Sequence, residues 1–96
     1  MNVKLVWTRA ARLDRAALYD YIEAENPRAA VELDERFDRR AVQLATNPMI
    51  GRAGRVRNTR ELVVRPNYLL VYDIEGDTIR ILRVLHGAQQ WPPEKP

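Results

Sequence analysis

The spacing of apolar positions changes several times along the chain, and each change marks an element. Val3 to Trp7 alternate weakly and are rich in β-formers, which predicts a first strand. Thr8 stands where a helix N-cap is needed, and from Arg9 to Ala24 the pattern becomes helical. Ala11, Leu18 and Ile22 fall on one face, with Ala17 and Tyr21 at its flank and Arg12, Asp20 and Glu23 elsewhere. Asn26-Pro27 ends that helix and opens another, Asn26 as N-cap and Pro27 at the first helical position, where a missing N–H costs nothing. The second helix has the cleanest stripe of the sequence, Ala30, Leu33, Phe37, Ala41 and Leu44, and is predicted to end near Asn47-Pro48. On its outer side Glu32/Arg36 and Glu35/Arg39 stand four apart, the spacing of helical ion pairs. Two helices joined by so short a link form an antiparallel hairpin, and both stripes then need a surface to cover.

The second half supplies that surface. Residues 49–60 hold two glycines and no sustained apolar period, which predicts a loop. Three strand-like runs follow, Glu61 to Arg65, Tyr68 to Ile74 and Thr78 to Leu85, separated by Pro66-Asn67 and Glu75-Gly76-Asp77. Their alternation places Leu62, Val64, Leu70, Tyr72, Ile79, Ile81 and Arg83 against Val63, Leu69, Val71, Ile74, Leu82 and Val84. Arg83 and Leu85 thus share one face, with His86 on the other unless the strand has ended. The expected fold is α+β in the order β-α-α-β-β-β, a helical hairpin on a small, mainly antiparallel sheet. The 96 residues leave room for one domain, 1–96, of which 86–96 form a proline-rich tail that docks or frays.

Composition narrows the chemistry. With no cysteine and one histidine, a disulfide framework is excluded and the usual nitrogen and sulfur metal-ligand sets cannot assemble, so no metal is expected. Gly51-Arg52-Ala53-Gly54 follows a helix and lacks the Lys-Ser/Thr of a phosphate-binding loop, so no nucleotide cofactor is expected either. The N-terminus has a charge inside its only apolar stretch and no small-residue cleavage site. No run reaches the ~18 apolar residues of a membrane span, which makes the cytoplasm the expected location.

The net charge of +3 lies entirely in residues 49–96, where Arg52, Arg55, Arg57, Arg60 and Arg65 crowd one stretch opposed only by Glu61. Arginine recognises phosphate and carboxylate bidentately, so Arg52, Arg55, Arg57 and Arg60 are candidates for a partner-binding face, for phosphates or for acidic protein. The alternative is that they are solvent-facing filler. Replacing Arg52, Arg55 and Arg57 together is expected to weaken a partner contact and leave the fold intact. His86 follows the last strand, and its imidazole could serve as general acid or base beside Arg83 or Arg65 on an RNA phosphodiester. A hydrogen-bonded structural histidine is the alternative. Trp91, between Gln90 and Pro92, reads first as a packing anchor for the tail and second as part of a partner contact.

Trp7-Thr8 with Ala10, Tyr21-Ile22, Asn26-Pro27 with Ala29-Ala30, and Leu44 with Asn47-Pro48 form an ordered series of short motifs. The series continues through Gly51-Arg52, Gly54-Arg55, the run Thr59 to Val64, Tyr68 with Val71-Tyr72, and Ile81 to Pro92. The resemblance these residues carry, over nearly the whole chain, is to the RelE/ParE superfamily of bacterial type II toxins. It implies a toxin held inactive by a cognate antitoxin that wraps it, with operator DNA met only through the antitoxin complex. It also implies one of two targets. RelE- and YoeB-like members cleave messenger RNA on the ribosome, whereas ParE-like members inhibit DNA gyrase without being enzymes. The nuclease branch typically carries an arginine just before the Leu-Val-Tyr strand, where this chain has Leu69 before Leu70-Val71-Tyr72. It also carries lysines in the strand corresponding to Glu61–Arg65 and a tyrosine near the C-terminus, neither of which is evident here. The expectation therefore leans to a ParE-like binding toxin, with a metal-independent endoribonuclease built on Arg65, Arg83 and His86 as the alternative.

Overall fold

Two capped helices bring the apolar stripes to one face of a sheet. The computed structural model describes residues 3–87, 89 and 91–93. Strand β1, Lys4–Trp7, leads into helix α1, Arg9–Glu23, and then α2, Pro27–Thr46. The Thr8 hydroxyl caps α1 by accepting from the Ala11 N–H and donates to the Leu82 carbonyl, so one side chain both starts the helix and ties it to the far end of the sequence. Asn26 caps α2 through the Ala29 N–H, with Pro27 in the first turn as its sequence predicts.

The remaining strands are β2, Arg52–Ala53, β3, Arg60–Arg65, β4, Tyr68–Glu75, and β5, Thr78–His86. The sheet order is β1-β5-β4-β3-β2, antiparallel except for β1, which runs parallel to β5 with Lys4 opposite Thr78 and Trp7 opposite Ile81. The β4–β5 turn carries Gly76 at φ +61°, a backbone conformation that L side chains rarely adopt. Strand β2 lies inside the segment predicted to be all loop, pairing Arg52 with Glu61 and Ala53 with Arg60. Two exposed residues leave no period to read; tertiary pairing, not pattern, makes them a strand.

The main core joins Phe37, Leu33, Ala41 and Leu44 of α2 and Ala11 of α1 to Leu62, Val64, Leu70, Tyr72, Ile79, Ile81 and Val84 of the sheet. A second cluster, Leu69, Val71 and Leu85, with Leu82 and Trp91 packed on it, gathers on the other face. The tail thus docks as far as Trp91, while residues 88, 90 and 94–96 lie outside the described part. Among the described residues no ion pair joins Glu32 to Arg36 or Glu35 to Arg39. Arg15 crosses instead from α1 to Asp34 at 2.9 Å and Asp38 at 2.8 Å, its guanidinium 4.6 Å from the centre of the Trp7 ring. Exposed helical pairs gain only a few tenths of a kcal/mol; the half-buried Arg15 bridge gains more by fastening the hairpin to β1. No helix among the described residues is long and apolar enough to cross a membrane.

Candidate functional site

Three of the four arginines of residues 49–60 gather around Glu61, which is the one buried charged side chain among the described residues, 2% exposed. Its carboxylate accepts from the Arg52 guanidinium at 3.2 Å and from the Arg55 backbone N–H at 3.0 Å, with the Arg55 Nε at 3.5 Å. Arg60 donates to the carbonyls of Gly51 at 3.0 Å and Met49 at 3.2 Å. Beneath them the Tyr72 hydroxyl accepts from the Gly51 N–H at 3.0 Å and donates to the Pro48 carbonyl at 2.7 Å. Position 51 must be glycine for that approach, since a Cβ there would sit 2.7 Å from the Tyr72 ring and 2.9 Å from the Glu61 carbonyl oxygen.

Three of the four loop arginines singled out from the sequence therefore hold the loop to the sheet. Arg52 and Arg55 cannot be replaced together at no cost to the fold, because a buried carboxylate would lose its partners. Only Arg57 stands exposed with no hydrogen bond or ion pair among the described residues.

At the other end of the sheet, strand register decides what Arg65, Arg83 and His86 can do. Val71 faces Arg83 while Tyr72 faces Ile81, so β5 carries one extra residue at Leu82. This bulge reverses the alternation expected beyond Ile81: Val84 joins the helix-side core and Arg83 turns to the face of Val71 and Leu85. His86 pairs with Tyr68, on the helix side, its ring edge-on at 5.1 Å between centroids. Arg65 flanks Tyr68 from β3, beyond a register shift after Val63. The arginine and histidine of β5 thus still point apart, as the sequence implied, but with their faces exchanged.

Arg83 is also occupied. Asp14 of α1 accepts from its Nε at 2.7 Å and its Nη2 at 3.0 Å and takes the Val84 N–H at 2.9 Å. Those hydrogen bonds hold the guanidinium above its usual pKa, against a burial penalty. The same group lies 5.4 Å from the centre of the Trp91 ring. Asp14 so closes the edge of β5 that β1 leaves open, and Trp91 completes the stack as a packing anchor. Asp14 was invisible in the sequence, since 69 residues separate it from its partner.

Comparisons with known proteins agree with this fold. The family model described as the ParE toxin of the type II toxin–antitoxin system parDE matches residues 5–91. The protein Y4kP of Sinorhizobium fredii is 40% identical over 92 residues, covering 93% of each chain. Toxin RelE2 of Caulobacter vibrioides is 36% identical over 86 residues, covering 90% of this chain and 97% of the relative. Among solved structures, the chromosomal ParDE system of P. aeruginosa superposes with a TM-score of 0.79 at 26% identity, over 88% of this chain and 95% of that one. The RelBE2 toxin–antitoxin complex of Mycobacterium tuberculosis superposes with a TM-score of 0.62 at 27% identity, over 90% and 99%. The chain belongs to the ParE toxin family and is a toxin of the type II toxin–antitoxin class.

Proposed function

We propose that the toxin acts by binding, as a ParE-like inhibitor of a large target such as DNA gyrase, and that a cognate antitoxin holds it inactive. The observation that carries this reading is the division of the catalytic candidates. Cleaving an RNA phosphodiester without a metal requires a proton shuttle and a charge-stabilising group converging on one phosphate. Arg83 is neutralised by Asp14 and covered by Trp91, on the face away from His86. Arg65 lies on β3, with Tyr68 of β4 between it and His86 on β5.

The antitoxin partner is supported by the relatives, since the P. aeruginosa ParDE and M. tuberculosis RelBE2 structures are toxin–antitoxin systems. Operator DNA then meets this chain only through the antitoxin complex, and the site of action is the cytoplasm. Within the loop, the partner-binding role narrows to Arg57 and to the outward edges of Arg52 and Arg55, whose side chains are 59% and 42% exposed. Mapping transcript ends after brief induction tests the reading. DNA-damage signalling without codon-associated cuts is the expected result; cuts at codon positions would establish the ribosome-dependent endoribonuclease instead.

A further inference from the structure

Helix α1 has a second apolar strip that the fold does not use. Ala10, Leu13, Ala17 and Tyr21, spaced three, four and four, occupy a strip about 80° wide at 100° per residue. All four are exposed, Leu13 by 57% and Tyr21 by 80%, and the sheet and α2 cover the other side of the helix through Ala11, Leu18 and Ile22. Along the helix the charges run in an unusual order, and of them Arg9 and Asp20 flank the strip, about 40° and 20° from Leu13. The first turn has Arg9 and Arg12 and no acidic residue; the last has Asp20 and Glu23 and no basic one. This is the reverse of the order that stabilises a lone helix through its dipole. None of the four forms an ion pair among the described residues.

We infer that this strip of α1 is a self-association surface, on which a second copy of the chain docks its own α1 antiparallel about a two-fold axis near Ala17. In that arrangement Leu13 of one copy meets Tyr21 of the other, and Ala17 meets Ala17 at the centre, where small side chains permit close approach. The basic first turn of each helix comes alongside the acidic last turn of its mate, so a charge order that is unfavourable within one helix becomes complementary between two. A parallel arrangement would set like charges together. A helix of 15 residues is about 22 Å long, so the patch is smaller than the ~800 Å² per partner of a standard interface. The dimer is accordingly weak, with a Kd on the order of 10–100 µM, and it dissociates as salt screens the flanking charges.

Sedimentation equilibrium of the purified full chain, with circular dichroism to verify folding, tests the inference. The wild-type chain is expected to dimerise with rising concentration. Ala17→Arg, which puts like charges on the axis, is expected to weaken dimerisation at least tenfold. Arg9→Glu and Asp20→Arg are each expected to weaken it severalfold, and the two together to restore it. Both reversals improve the match to the helix dipole, so a loss of dimer cannot be blamed on a weaker helix. A wild-type chain that stays monomeric well above 100 µM overturns the inference. So does a dimer indifferent to Ala17→Arg, which would place association on another face. A monomer whose antitoxin affinity falls with Ala17→Arg would likewise overturn it, assigning the strip to the antitoxin.

Discussion

The two arginine groups of the second half look alike in sequence and differ in what they meet. In the loop, Arg52 and Arg55 converge on one buried carboxylate, and Arg60 fastens two carbonyls beside it. At the end of the sheet, Arg83 meets Asp14 and Trp91 from other parts of the chain, and Arg65 stays at the surface. One group is a fastener around a single centre, and the other is split across two faces. A run of positive charge is therefore weak evidence for a working surface until its acidic partners are located. Here two carboxylates, Glu61 and Asp14, account for Arg52, Arg55 and Arg83, three of the six arginines that looked available.

The largest effect is expected at the loop centre. Replacing Arg52 and Arg55 together by alanine leaves Glu61 buried with only a backbone N–H, at a cost of about 3 kcal/mol in a denaturant melt. A melt unchanged by the double substitution would break the comparison by showing that the loop arginines are not fasteners. Next comes Asp14→Ala, which strands the Val84 N–H and releases Arg83, for a loss of roughly 2 kcal/mol. Hydrogen exchange at Val84 should rise with it, sharpening the distinction between an edge closure and a mere surface pair. Asp73→Ala, which removes the half-buried, bidentate partner of Arg80 on the adjacent strand, is expected to cost about 1 kcal/mol. Arg57→Ala should move stability by less than about 0.5 kcal/mol, and any loss of toxicity it causes would then report a partner contact alone.

Much of the fold was legible because its signals are local. Thr8, Asn26-Pro27 and Asn47-Pro48 bracket two helices whose stripes are read at helical spacing, and alternation gives three strands to within a residue or so. Two features were not legible. Strand β2 exists through its partner, and the bulge at Leu82 exists through register with β4, so neither leaves a trace in the periodicity. That single inserted residue decided which side of the sheet received Arg83. In the candidate site the roles of the arginines depend on Glu61 across the β2–β3 pair, and on Asp14 and Tyr72, which reach their partners from distant segments. Glu61 did leave a clue, as the only acidic residue opposing five arginines.

The claim at the centre of this account is that the toxin inhibits by binding and needs no general acid or base. Gyrase supercoiling measured with the purified wild-type chain and with a folded His86→Ala variant tests it most directly. Both are expected to inhibit supercoiling to the same extent. Supercoiling left untouched by the wild-type chain would contradict it.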